Sequence, residues 1–125
     1  MAAYFCDASS IAKRYLQEVG TAWVQSLADP AAGNYLYLAR ITTVEVVAAV
    51  TRRQRGGHLS PAVAAGILAQ FRQDLPAYGI VEITPALLSH AMTLAETHGL
   101  RAYDAVQLAV ALEMHRLIRV RVSDR

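Results

Sequence analysis

Two rhythms of apolar and polar positions run along this chain: short unbroken apolar runs of strand length, and longer stretches in which apolar residues return every three or four positions. Ala2 to Cys6 is the first run, and it ends on Asp7, so it reads as a buried strand arriving at an acidic tip. Ser10 then caps a helix from Ile11 to Gln17. After the break at Gly20, Thr21 to Leu27 reads as a second short helix, closed by Asp29-Pro30 and a Gly33-Asn34 turn. Tyr35 to Ile41 is a strand. Thr43 to Arg55 is a helix despite its valines, ending at Gly56-Gly57 with arginines in the last turn to meet the helix dipole.

Ser60-Pro61, a cap followed by proline in the first turn, starts a helix to Tyr78 with Val63, Ile67, Leu68, Phe71 and Leu75 on one face, and Gly79 ends it. Ile80 to Ile83 is a short strand. Thr84-Pro85 opens a helix that Gly99 stops after His98, and Arg101 to Arg116 is another, with Tyr103, Val106, Leu108, Ala109 and Leu112 as its apolar positions. Ile118 to Val122 reads as the last strand, delivering Asp124 at its end. Strands alternating with helices of ten or more residues predict an α/β fold, a small parallel sheet flanked by helices on both faces. No repeat, linker or low-complexity tract divides the chain, and 125 residues suit one domain around one core.

Composition narrows the picture. The apolar fraction is 54%, yet charged residues interrupt every apolar stretch well short of the ~18 residues of a membrane span. Met1 is followed by no basic region leading into an apolar signal segment, so the cytoplasm is the expected location. Cys6 is the single cysteine, and the four histidines (His58, His90, His98, His115) have no zinc-type spacing, so any metal ligands are oxygens. The net charge is only +2, but eleven of the twelve basic residues are arginine, whose planar fork matches phosphate.

In open parallel sheets, ligands bind beyond the carboxyl ends of the strands. Asp7 and Asp124 follow strands, while Glu45 and Asp104 lie in the first turns of helices, so four carboxylates are candidates to converge. Converging acids repel one another, and a hard divalent cation such as magnesium or manganese turns that repulsion into a binding site. Each acid also has a plain structural role open to it. Asp7 suits a helix cap, Thr42-Thr43-Val44-Glu45 matches a capping box, Asp104 complements a helix dipole, and Asp124 suits a solvated terminus. Spacing alone leaves all four undecided.

Three blocks carry a family resemblance. Tyr4-Phe5-Cys6-Asp7-Ala8-Ser9-Ser10 with Ala12-Lys13-Arg14-Tyr15, then Thr42-Thr43-Val44-Glu45-Val46, and above all Leu100-Arg101-Ala102-Tyr103-Asp104-Ala105-Val106-Gln107-Leu108-Ala109 resemble the PIN-domain family from end to end. More narrowly, the chain resembles the VapC-type toxin of bacterial VapBC toxin–antitoxin pairs. A fourth block, Arg121-Val122-Ser123-Asp124-Arg125, resembles the family's last strand and terminal acid. It departs from the pattern, which usually has one more residue between serine and aspartate and then another helix. The chain stops at Arg125, which implies a shortened C-terminal end.

The resemblance implies a magnesium-dependent endoribonuclease with Asp7, Glu45, Asp104 and Asp124 as metal ligands. Ser9 would steady Asp7 or a bound water, and Gln107, three positions after Asp104, would orient that carboxylate. It further implies a VapB-type antitoxin partner inserting an arginine into the acidic pocket, and a homodimer. The expected chemistry is in-line attack of metal-activated water on an RNA phosphodiester, leaving a 5′ phosphate. Two other readings differ in kind. A signalling receiver domain needs an aspartate pair after the first strand and a lysine after the last, whereas Asp7 stands alone and the sole lysine is Lys13. A catalytically weak PIN-like module that binds RNA or a partner is separated from the nuclease by metal binding and cleavage.

Overall fold

The computed structural model describes residues 2–123, and of residues 118–123 the backbone alone. The chain forms two compact units, Met1–Ile80 and Val81–Arg125.

In the first unit, strand β1 (Ala3–Phe5) leads into helix α1 (Ala8–Tyr15), and α2 (Thr21–Ala28) leads to strand β2 (Tyr35–Ala39). Helix α3 (Arg40–Arg55) follows β2 without a loop, then α4 (Pro61–Asp74), a 3-10 turn, and strand β3 (Gly79–Val81). The three strands form one sheet in the order β1-β2-β3, and β1 pairs with β2 in parallel, Tyr4 opposite Leu36. Parallel pairing requires crossovers, which the helices supply. The expected α/β architecture, a small parallel sheet flanked by helices, is therefore the one observed.

Alternation along β2 explains its place at the centre of the sheet. Leu36 and Leu38 are buried, and they join Cys6, Ile11, Val46, Phe71 and Tyr78 in the main core. A second cluster of Ala12, Leu16, Val50 and Ala64 seats α1, α3 and α4 on one another. On α4 the expected stripe is shifted: Ala64 and Phe71 are buried, whereas Val63 is exposed. Gly79 must be glycine for space, because a Cβ there would lie 2.4 Å from the Tyr37 ring. The aromatic ring of β2 fills the volume that a side chain on β3 would need.

The second unit holds α5 (Pro85–His98) and α6 (Ala102–Ser123), which pack against each other. Thr84 caps α5, accepting from the Leu87 amide through its hydroxyl, and Gly99 closes it in the left-handed conformation at φ 64°. On α6 the buried positions are Ala105, Ala109, Val110 and Met114, while Leu108 and Leu112 are exposed, contrary to the stripe expected from the sequence. Small alanines allow close helix approach and leave the larger leucines outside. The expected strand at Ile118–Val122 is the other correction. Neither glycine nor proline occurs between Ala102 and Ser123, and α6 runs on through the β-branched segment to Ser123. Among the described residues, no helix is long and apolar enough to cross a membrane.

Candidate active site

Asp7 stands two residues beyond the end of β1, where strand turns into helix. It is the N-cap of α1, with β-region angles and a side chain that accepts from the backbone of the first turn. Its Oδ1 takes the Ser10 amide at 2.8 Å and the Ser9 hydroxyl at 2.9 Å. Both donors converge on the same oxygen, and the Ser10 side chain adds a further hydrogen bond to the carboxylate. Partial burial opposes ionisation of Asp7, but the bonds from Ser10 and Ser9, aided by the charge of Lys13, outweigh it and hold the carboxyl below its ordinary 3.8. The cap is thus formed by Asp7 rather than by Ser10, and α1 begins three residues earlier than the sequence suggested.

Glu45 is in the second turn of α3, about 8 Å along the helix from its start at the carboxyl end of β2. The capping-box alternative fails. The helix begins at Arg40 with Ala39 as a cap that makes no side-chain bond, so Glu45 is the sixth helical residue. Thr42, which the box would have used as its cap, is buried inside the helix, and Thr43 donates to the Arg40 carbonyl at 2.7 Å. Glu45 is half-buried, and among the described residues it has no hydrogen bond or ion pair.

The first unit therefore brings Asp7 and Glu45 to the carboxyl edge of two adjacent parallel strands. Asp104 belongs to the second unit, in the first turn of α6, exposed and without a hydrogen bond among the described residues. Gln107 is buried, and its amide nitrogen donates to the Tyr103 hydroxyl at 2.8 Å. Asp124 lies outside the described residues.

Cys6, between β1 and Asp7, is a core residue: its burial, together with the Asp7 charge, pushes the thiol up to about 11. It is therefore a thiol at neutral pH and offers neither a nucleophile nor a soft metal ligand. Within either unit, no group of three or more His, Cys, Asp or Glu among the described residues forms a closed metal-binding set. The donors at the edge are all carboxylate oxygens, those of Asp7 held ionised and those of a half-buried Glu45 without a partner among the described residues. This set fits magnesium, which commonly takes one or two carboxylates and completes its shell with water and substrate phosphate.

The opposite edge of the first unit holds a polar group that sequence reasoning missed. Tyr15, at the end of α1, donates to Asp74 Oδ2 at 2.7 Å, and Arg14 donates to the Tyr78 hydroxyl at 2.5 Å while lying 3.5 Å from Asp74. Tyr15 and Tyr78 also share a hydrogen bond. An open cavity of about 330 Å³ lies beside Arg14, Gln25, Gln70 and Asp74. It is at the amino end of the strands, away from Asp7 and Glu45. The residues come from three distant segments, so no local spacing announces them.

The family model of the PIN domain matches residues 4–123, through both units. No curated protein matches the chain. PIN domains are generally nucleases that use divalent metal ions. With an acid after the first strand, an acid on the helix after the second, and a match over nearly its whole length, the chain belongs to the PIN domain family.

Proposed function

We propose that the protein is a magnesium-dependent endoribonuclease, the VapC-type toxin of a toxin–antitoxin pair. The observation that carries this reading is the carboxyl edge of β1 and β2, where Asp7 is held as a carboxylate by Ser9 and Ser10, and Glu45 stands half-buried with no hydrogen bond or ion pair among the described residues. A half-buried carboxylate left unpaired costs stability unless a cation meets it. Asp7 and Glu45 are the residues that would hold the ion in the first unit. The assignment of Asp104 and Asp124 as further ligands rests on the family resemblance.

When bound, a divalent ion supplies Lewis-acid polarisation of a phosphodiester and lowers the pKa of a bound water. The residues supply position and charge. Ser9 and Ser10 fix the rotamer of Asp7 and keep it ionised, so that its negative charge is already in place beyond the strand. Glu45, on the rigid second turn of α3, presents its charge beside the same strand ends. Manganese would serve in the same donor set. A VapB-type antitoxin would neutralise these carboxylates with an arginine, a charge match of the same kind. Exposed Trp23 on α2, and Leu88, Met92, Leu108 and Leu112 in the second unit, offer apolar surface for that partner and for a homodimer.

The test is cleavage of a structured RNA pool with magnesium or manganese against EDTA, beside an Asp7→Asn variant. Metal-dependent cleavage lost in the variant is the expected result. Cleavage that persists in Asp7→Asn, or in EDTA, overturns the assignment.

A further inference from the structure

The last turn of α3 carries three arginines, and they are not equivalent. Arg53 pairs with Glu18, which anchors the end of α3 to the segment after α1. Arg52 and Arg55 are exposed, and among the described residues neither has a hydrogen bond or an ion pair. The turn beyond them is fixed: the Gly56 amide bonds back to the Arg52 carbonyl, and Gly57 takes the left-handed conformation at φ 81°. Two unpaired guanidinium groups thus project from a rigid helix end.

Their position relative to Glu45 gives them a use. Arg52 follows Glu45 by seven residues, two helical turns, so the two share one face of α3 about 10 Å apart along its axis. Between them on that face are Ala48 and Ala49, both small and half-buried. The negative end of the helix dipole favours a basic residue in the last turn but does not require two beyond the one already paired. Arginine binds phosphate through a two-pronged fork.

We propose that Arg52 and Arg55 hold backbone phosphates of a single-stranded RNA that runs along the Glu45 face of α3 from the carboxyl edge. The RNA rests on the nuclease reading above, and the geometry of this face extends that reading from the cleaved bond to the flanking strand. These contacts are to phosphate, so they fix the strand's path and carry no base specificity.

The experiment is fluorescence anisotropy of a labelled, mixed-sequence, short single-stranded RNA in EDTA, where metal-dependent cleavage is silent, between about 50 and 200 mM salt. Arg52→Gln/Arg55→Gln is expected to weaken binding roughly tenfold and to reduce the slope of log affinity against log salt by about 1.4, two contacts at about 0.7 each. Arg52→Lys/Arg55→Lys is expected to restore most of that slope, because a point charge suffices for a phosphate. An unchanged affinity and slope in the glutamine pair overturns the proposal. So does displacement of the RNA by a polyglutamate peptide at equal charge, which would mark the face as a site for acidic protein. Magnesium-dependent cleavage by the wild type is scored separately. Cleavage without the slope change sinks this proposal and leaves the nuclease standing, while the slope change without cleavage does the reverse.

Discussion

The Ser9 hydroxyl donates to Asp7 Oδ1 at 2.9 Å, on the same oxygen that receives the Ser10 amide at 2.8 Å. One carboxylate therefore performs two tasks, capping the start of α1 with Oδ1 and holding a negative charge just beyond the strand. The tasks are separable by substitution. Asparagine is as good a helix cap as aspartate, so Asp7→Asn should cost no more than about 1 kcal/mol, the value of a charge at a helix start, while RNA cleavage is lost. Asp7→Ala should lose the cap as well, for a further cost of about 1 kcal/mol in urea unfolding. A variant whose activity falls only in step with its stability would contradict the site role.

Ser9→Ala removes one of the two donors without touching the backbone bond from Ser10. We expect metal affinity, read by calorimetry, to fall about 10- to 100-fold, the usual effect of losing a group that orients a ligand. An unchanged affinity would show that Ser10 alone positions Asp7.

The depressed pKa of Asp7 fixes the sign of a pH effect. A carboxyl whose folded value lies below its unfolded value adds stability above the unfolded pKa, and that stability is lost as pH falls through the folded one. The stability gap between wild type and Asp7→Asn should be constant above about pH 5 and shrink below about pH 4. Parallel urea melts at several pH values check this; a gap that grows on acidification would contradict it.

Tyr15 and Tyr78 behave in the opposite sense. Burial raises both hydroxyls above their ordinary 10.0, and for Tyr15 the bonds to Tyr78 and Asp74 add to the rise. The folded state thus holds both as neutral phenols. Their contribution is complete below about pH 10 and declines as pH rises further, because only the unfolded chain ionises them readily. In an alkaline absorbance titration, Tyr15 and Tyr78 should ionise above the ordinary tyrosine range or only on unfolding. Tyr78→Phe should destabilise the protein by about 1–3 kcal/mol, since it removes the acceptor used by the half-buried Arg14. Ionisation of both within the ordinary range in the folded protein would disprove the arrangement.

Gly79→Ala tests the contact between β3 and β2. A Cβ 2.4 Å from the Tyr37 ring forces one of them to move, and overpacking of this kind costs about 1–3 kcal/mol. In a Tyr37→Leu background the same change should cost distinctly less. Equal costs in both backgrounds, measured as a double-mutant cycle, would show that the two positions are independent.

Much of this fold was legible in the residue pattern, and the reason is local. The Ser60-Pro61 and Thr84-Pro85 starts, the Gly99 stop and the apolar runs at β1 and β2 act through neighbouring backbone, and each element appears close to where they set it. The acids after β1 and on the helix after β2 were legible for the same reason, since strand ends can be read from the chain. Where local signals conflicted, tertiary structure decided. Thr42 to Glu45 match a capping box, yet Thr42 is buried within α3 and the helix begins at Arg40, directly from the strand. Ile118 to Val122 has strand composition, yet helix α6 continues through it. Contacts between distant segments were invisible to any local rule: Tyr15 with Asp74 and Tyr78, Gly79 against Tyr37, Arg53 with Glu18. The sequence alone determined the residue types, the order of elements as far as the start of α6 and the acid after β1, because those follow from backbone geometry within a few residues. Only the tertiary structure decided which arginines stay unpaired and which side chains are buried, because these depend on packing between segments far apart in the chain.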